Sequence, residues 1–259
     1  MWNQFQTRDY AGLIAETISV TGHDARPVHA YYARSMDPGP HPGLILIPHM
    51  PGWDEWLRET SCRFARHGFD VICPDIYQDF GFGTPPEVAR RAMDAGMVRD
   101  DSVMGDVRGC LDFLRSQPRS SGRSGVIGMC SGGRHAFLAA CTVEGLDAAV
   151  DCWGGGVTAT ADQLSPARPV APMDLAENLS IPLLGIFGNE DRSPSPADVD
   201  TLENRLKELG KDYEFHRYDG AGHGIWYYDR PMYRPEQAMA SWEVTLAFLE
   251  RHLRGGERA

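Results

Sequence analysis

The chain contains 259 residues, of which 42% are hydrophobic and 24% are charged, and its formal net charge at pH 7 is −11. Such a chain buries a sizeable core unaided, and its acidic balance excludes the large basic surface that nucleic-acid binding requires. No apolar run approaches the ~18 residues of a membrane span, and residues 1–9 lack the features of a signal peptide. We therefore expect a cytoplasmic monomer or homodimer with a small-molecule partner and without nucleic-acid or membrane partners.

Hydrophobic patterning predicts strands that alternate with helices along most of the chain. Apolar segments at 13–20 and 29–34, separated by a turn at 21–24, predict two antiparallel strands. The run at 43–47 is apolar on both alternating faces and predicts a buried strand. Further strands are predicted at 69–73, 125–128, 148–150 and 182–187, and a final one near 213–218. Apolar residues at helical spacing predict helices at 53–65, 103–114, 132–141, 199–209 and 239–253.

Two long segments between these elements lack a clear period. Residues 77–86 are rich in glycine and aromatic residues and are predicted to form a loop. Residues 158–178 are rich in proline and are interpreted as a lid or an insertion. Neither separates domains, so we expect one α/β domain over residues 1–259, with a mostly parallel central sheet and helices on both faces.

The six cysteines are too sparse for a disulfide scaffold, and no pair has the CxxC spacing of a zinc or thioredoxin-type site. We therefore expect reduced thiols, no metal and no cofactor. Five are expected to be buried core residues, namely Cys62, Cys73, Cys110, Cys141 and Cys152. Cys130 is the exception because of the motif that surrounds it.

The motif VIGMCSGGR around Cys130 follows a predicted strand and opens a predicted helix. A nucleophile on such a tight turn needs small residues two positions before and after it. Gly128 and Gly132 meet this requirement for Cys130, whereas the size of Met129 excludes Ser131. The alternative is a glycine-rich turn with a buried cysteine, and we favour the nucleophile because the turn joins a strand to a helix.

A cysteine nucleophile needs a base, and the base needs an orienting acid, in the chain order nucleophile, acid, histidine. Asp191 lies in the loop after the 182–187 strand, with Glu190 beside it as the alternative acid. His223 lies between glycines directly after the last predicted strand. Because open α/β sheets build their sites at the carboxyl ends of strands, we predict Asp191 as the acid and His223 as the base.

Together these motifs resemble the dienelactone hydrolase family of α/β hydrolases over nearly the whole chain, from 44 to 253. The similar segments are GMCSGG at 128–133, CPDIY at 73–77, GNED at 188–191 and GAGH at 220–223. The resemblance implies the α/β-hydrolase fold, a Cys-Asp-His triad and hydrolysis of an ester or lactone. It also implies an oxyanion hole of two backbone N–H groups, worth roughly 3 kcal/mol each, which correspond to Ser131 and Met50.

The expected substrate-binding positions depart from this family. His49 stands where the family has a glutamate that holds the resting thiol, so His49 either stabilises a thiolate at Cys130 or fills the loop and bonds a backbone carbonyl. The family's two substrate-binding arginines correspond to Asp79 and Tyr227. Since an acid repels a carboxylate, we expect a neutral ester or lactone and not dienelactone itself.

Arginines and aromatic residues near the predicted site loops complete this picture. Arg134 is expected at the surface, but a loop shift that brings Arg134, Arg192 or Arg230 into the pocket would favour a carboxylate substrate instead. Aromatic residues in loops beyond strand ends predict an apolar pocket. With His49 and Asp79, its predicted lining comprises Trp53, Phe82, Trp153, Trp226 and Tyr227.

The leading hypothesis is a hydrolase of a small neutral ester or lactone that works through an acyl-cysteine intermediate. A thioesterase or acyltransferase with the same triad is an alternative within this class. A ligand receptor that keeps the fold without turnover is an alternative outside it, because a fold alone does not decide function.

Overall fold

A computed structural model describes residues 11–255, so the prediction made for residues 1–9 lies outside the described part. The strands are β1 Leu13–Thr21, β2 Pro27–Ser35, β3 His41–Ile47, β4 Asp70–Pro74, β5 Ser120–Met129, β6 Ala148–Cys152, β7 Leu183–Gly188 and β8 Tyr213–Tyr218. They form one eight-stranded sheet in the order β1-β2-β4-β3-β5-β6-β7-β8. Strand β2 pairs antiparallel with β1 and β4, and all other neighbouring pairs are parallel. The predicted mostly parallel sheet with an antiparallel start is confirmed.

Six α-helices flank this sheet in residues 11–255. They are α1 Glu55–Arg66, α2 Pro85–Asp94, α3 Asp100–Ser116, α4 Ser131–Thr142, α5 Pro196–Glu208 and α6 Pro235–Leu253. Side chains of α1 and α6 belong to one core layer, and those of α3, α4 and α5 belong to the other. Successive residues of β3 alternate between the layers, so that Leu44 and Leu46 contribute to the first and Ile45 and Ile47 to the second.

Helix α2 is the one α-helix of the described chain that the sequence analysis missed. The loop predicted at 77–86 overlaps only its start, and no element was predicted for 87–94. Its buried face consists of Ala89 and Ala92, which are too small to produce a visible apolar period. A start signal was present, since the Glu87 carboxylate accepts a hydrogen bond from the Thr84 N–H at 2.8 Å. In the described chain no helix combines the length and the apolar character needed to cross a bilayer.

The regular structure of the proline-rich segment 158–178 consists of 3₁₀ turns at Ala161–Gln163 and Pro172–Asn178 and of an isolated antiparallel bridge between Ser165 and Arg168. Its backbone carbonyls accept hydrogen bonds from the Asp100 N–H at 2.9 Å and from the Arg134 guanidinium at 3.4 Å. These contacts attach the segment to α3 and α4. Because a single sheet also joins strands from both ends of the chain, we propose a single-domain organisation.

Candidate active site

Cys130 occupies the tight turn between β5 and α4. Its backbone has φ 57° and ψ −123°, a strained conformation for a residue with a side chain. The positions two residues before and two residues after it accept only glycine. A Cβ on Gly128 would overlap the carbonyl of Gly132, and a Cβ on Gly132 would overlap the carbonyl of Ile47. The turn therefore holds Cys130 at the carboxyl end of β5, with the N-terminus of α4 directly behind it.

Asp191 and His223 follow the neighbouring strands β7 and β8. Nδ1 of His223 lies 2.8 Å from Oδ2 of Asp191, and Oδ1 of Asp191 accepts a hydrogen bond from the Ser193 N–H at 2.9 Å. The Asp191 side chain is 3% exposed and that of His223 is 34% exposed. This pairing favours Asp191 over the alternative acid Glu190, which is exposed.

A cavity of about 810 Å³ joins Cys130, Asp191 and His223, which all line its wall. Met50 and Ser131, the two predicted oxyanion donors, line the same cavity. Among the turn, loop and cap hydrogen bonds of residues 11–255, neither of their N–H groups donates to a backbone carbonyl, as expected of donors for a developing oxyanion. The described residues contain no cluster of three or more His, Cys, Asp or Glu side chains that could hold a metal ion.

The protonation of His223 depends on its two neighbours. Burial alone lowers the pKa of the imidazole, but its hydrogen bond with Asp191 and the hydrogen bond and charge of Cys130 together raise this pKa to about 10. The contact with Asp191 thus makes His223 more basic than an isolated imidazole, which suits it to take the proton of a neighbouring thiol.

We expect Cys130→Ala to lower the pKa of His223 below about 10, because it removes the hydrogen bond and the charge of the thiolate. An NMR titration of the imidazole ring measures this change. A raised pKa means that His223 stabilises the native state fully below pH 6.5 and loses this contribution as the pH rises towards about 10. In the variant the loss is expected at lower pH, and an unchanged pKa would show that Cys130 does not act on His223.

The cavity lining differs from the predicted one, because the aromatic residues beyond the strand ends turn inwards. Trp153, Trp226 and Tyr227 are at most 3% exposed and belong to the core layer of α1 and α6. The indole N–H of Trp226 donates to Ser241 Oγ on α6 at 2.8 Å. These side chains fill the space beside the helices, and none of them lines the cavity.

The remaining predicted lining residues, His49 aside, also lie elsewhere. Phe82 is fully exposed, and Asp79 faces solvent, where it lies 3.4 Å from Arg26. Trp53 packs edge-on against Tyr31, with ring centroids 6.5 Å apart. Loop position alone did not reveal which way these side chains point, so the predicted lining is corrected for them as well.

His49 is completely buried and both of its ring nitrogens have partners. Nδ1 lies 2.8 Å from the Tyr227 hydroxyl, Nε2 lies 2.9 Å from Asp54 Oδ2, and the ring stacks on Trp56. The expected bond to a backbone carbonyl is therefore wrong. Because both nitrogens are engaged in this core cluster, no ring nitrogen remains to contact Cys130 in this arrangement.

Arg134 is buried, contrary to the expectation of a surface residue. Its guanidinium forms two hydrogen bonds to Asp100, at 2.6 and 2.9 Å. Burial alone raises the pKa of Asp100, but hydrogen bonds with His135 and Arg134 lower it to about 2. The long side chain of Arg134 reaches the Asp100 carboxylate on α3, and this ion pair offsets the cost of burying the guanidinium charge.

Three arginines nevertheless line the cavity, namely Arg134, Arg168 and Arg192. Arg230 does not, and instead lies 2.8 Å from Asp54. Sequence reasoning missed Arg168, because the segment 158–178 has neither a motif nor a period that could place it. Of the three arginines that the sequence left as alternatives, Arg134 and Arg192 therefore line the cavity.

The strand order, the cysteine on the turn after β5, and the acid and histidine after β7 and β8 define an α/β hydrolase. The chain belongs to the dienelactone hydrolase family, whose model matches residues 28–253. Membership of this family confirms the predicted resemblance and makes the protein a hydrolase of lactones or esters.

Individual relatives agree with this family assignment. A proposed carboxymethylenebutenolidase of Escherichia coli K12 is 31% identical, and the match covers 98% of this chain and 92% of the relative. A proposed 2-oxo-3-(5-oxofuran-2-ylidene)propanoate lactonase of a Bradyrhizobium species is 28% identical, and the match covers 87% of this chain and 90% of the relative. The crystal structure of a proposed dienelactone hydrolase from Klebsiella pneumoniae is similar with a TM-score of 0.83 and 27% identity, covering 92% of this chain and 99% of that one.

Proposed function

We propose that the enzyme hydrolyses a small ester or lactone through an acyl-cysteine intermediate on Cys130. The observation that carries this proposal is that Cys130, Asp191 and His223 line the wall of one cavity. Within this group, Oδ2 of Asp191 lies 2.8 Å from Nδ1 of His223. The strained turn at Cys130 supports it, because such strain persists where function requires a fixed side chain. Proposed roles are nucleophile for Cys130, base and acid for His223, and orienting acid for Asp191.

In the acylation step, the Cys130 thiolate attacks the carbonyl carbon and forms a tetrahedral oxyanion. The Met50 and Ser131 N–H groups donate hydrogen bonds to that oxygen. The imidazolium of His223 then gives its proton to the leaving alkoxide as the carbon–oxygen bond breaks. This proton comes from the Cys130 thiol, which His223 deprotonates as the sulfur attacks.

In the deacylation step, neutral His223 takes a proton from water, and the hydroxide attacks the thioester. The oxyanion forms in the same hole, the carbon–sulfur bond breaks, and the Cys130 thiolate leaves with the carboxylic acid as product. Asp191 keeps Nδ1 of His223 engaged throughout, so that Nε2 serves both proton transfers. Return of the proton from His223 to the sulfur of Cys130 restores the starting state.

The charge preference of the substrate depends on the residues that line the cavity. The expected preference for a neutral substrate depended on Asp79 and Tyr227 facing a pocket without arginines. Neither residue lines the cavity, and three arginines do. The name of the Bradyrhizobium relative describes a lactone that carries a propanoate, which supports a lactone as the substrate class.

A first test is the hydrolysis of p-nitrophenyl acetate before and after treatment with iodoacetamide. We expect sustained turnover that is lost in step with alkylation of Cys130, because the other five thiols are buried and Cys130 is not. Peptide mapping identifies the labelled residue. Alkylation of Cys130 with full retention of activity would contradict the proposal.

The same assay separates the alternatives. Release of one equivalent of p-nitrophenol followed by arrest would indicate a receptor that is acylated without turnover. Faster acyl transfer to an added amine or alcohol than to water would indicate a transferase. Hydrolysis that continues at the same rate with or without such acceptors is the result that the proposal predicts.

A further inference from the structure

A network of polar side chains joins the loop that carries the Met50 N–H to the loop that follows the proposed base. Nδ1 of His49 lies 2.8 Å from the Tyr227 hydroxyl, and Nε2 of His49 lies 2.9 Å from Oδ2 of Asp54. The Arg230 guanidinium lies 2.8 Å from the same Oδ2, and its central carbon lies 4.8 Å from the centroid of the Tyr227 ring. The four side chains thus form a closed ring of contacts.

The protonation of two members fixes the direction of these hydrogen bonds. Burial raises the pKa of the Tyr227 phenol well above its usual value, so the phenol keeps its proton and donates it to Nδ1 of His49. Burial alone raises the pKa of Asp54, but the interaction with His49 lowers it below its usual range. Asp54 is therefore a carboxylate that accepts the Nε2–H of His49. Both ring nitrogens have partners, and the imidazole is held in one orientation.

His49 immediately precedes Met50, whose N–H is a proposed oxyanion donor. That N–H and the carbonyl of His49 belong to one planar peptide group. The carbonyl accepts a hydrogen bond from the Gly52 N–H at 2.6 Å, and the completely buried ring of His49 stacks on Trp56 with centroids 5.5 Å apart. Because side chain and carbonyl are both held, the Met50 N–H keeps a fixed direction.

The network reaches two further elements of the site. Tyr227 follows His223 by four residues in the same loop. Asp54 also caps α1, since its Oδ1 accepts a hydrogen bond from the Leu57 N–H at 2.9 Å. The oxyanion loop is therefore fastened both to the loop of the base and to the start of a helix.

We propose that His49 and Tyr227 are positioning residues whose hydrogen bond holds the peptide between His49 and Met50 so that its N–H meets the oxyanion. Neither side chain lines the cavity, so both act through the backbone and not on the substrate. At these two positions the chain departs from its family, and the pair would give both departures one role. The inference rests on the proposed function, because it takes Met50 as an oxyanion donor.

Tyr227→Phe tests this inference, because it removes one hydroxyl and keeps the ring. We expect kcat for p-nitrophenyl acetate to fall about 10- to 100-fold and KM to stay within about threefold, since a displaced donor weakens transition-state binding more than substrate binding. Alkylation of Cys130 by iodoacetamide forms no oxyanion, so its rate should stay within about threefold of the wild type.

Asp54→Asn is a second variant in case Tyr227→Phe does not fold, which thermal denaturation shows. Asparagine is as good a helix cap as aspartate, but it lacks the charge that engages His49 and Arg230. We expect the same selective loss, with kcat about 10-fold or more lower and the alkylation rate within about threefold.

Tyr228→Phe is the matched control, because it makes the same substitution at the next residue, which is half-buried and outside the network. Its kcat should stay within about threefold of the wild type. Folded Tyr227→Phe with wild-type kcat would overturn the proposal, and so would an equal fall of turnover and alkylation, which would place the effect on the thiol. Full activity of the wild type after complete alkylation of Cys130 would instead overturn the proposed function.

Discussion

Cys130→Ala is expected to lower kcat by a factor of about 10⁴–10⁶, since the members of a catalytic triad act as a unit. Alanine removes the sulfur on which the proposed acyl-enzyme forms, while the backbone of the turn and the pair of Asp191 and His223 remain. Steady-state hydrolysis of p-nitrophenyl acetate measures the loss. A thermal denaturation curve checks that the variant folds.

Cys141→Ala is the matched control for this substitution. Cys141 lies on α4, the helix that Cys130 precedes, but it is buried in the core layer of α3 to α5 and does not line the cavity. We expect this variant to lose some stability and to keep kcat within about threefold. Substantial activity in Cys130→Ala would move the nucleophile elsewhere, with Ser131 as the first residue to test.

Asp191→Asn is expected to lower kcat by a factor of about 10³–10⁴, somewhat less than the loss of the nucleophile. The amide fits the same space, but it cannot stabilise the imidazolium as the carboxylate does across the 2.8 Å contact with Nδ1 of His223. The pKa of His223 is expected to fall in this variant, because that hydrogen bond helps to raise it. The pH profile of kcat/KM should change accordingly.

Glu190→Gln is the control that separates the two candidate acids. Glu190 is the preceding residue and also a carboxylate, but its side chain is exposed, and exposed charges contribute little. We expect its kcat to stay within about threefold of the wild type. The reverse pattern, with Glu190→Gln inactive and Asp191→Asn active, would show that the acid was assigned to the wrong residue.

Much of the fold could be predicted because it depends on local patterns. Strands β3 and β4 are apolar on both faces, and the apolar spacing of α3 and α6 is long and regular, so these elements are visible in the sequence. Helix α2 was missed because it buries only small residues, Ala89 and Ala92. A helix with a weak apolar period is not predicted from its sequence pattern, even when a capping signal is present.

The candidate site also has a part that local sequence predicts and a part that it does not. The turn at Cys130 is specified by neighbouring glycines, and the loops of Asp191 and His223 directly follow apolar strands, so local sequence suggested where these residues lie. The cavity lining depends on how distant segments pack. Tyr227 turns towards His49, 178 positions away in the chain, and Arg168 reaches the cavity from an irregular segment, which no local pattern could predict.

The proposed mechanism requires an acyl group on the sulfur of Cys130, and rapid-quench mass spectrometry during turnover detects such a group. The wild type is mixed with a p-nitrophenyl ester, quenched in acid within the first turnover, digested and mapped. We predict one acyl group per chain, on the peptide that contains Cys130 and assigned to that residue by fragmentation, with decay at the rate of turnover. An acyl group on Ser131, or turnover without any acylated peptide, would contradict the account.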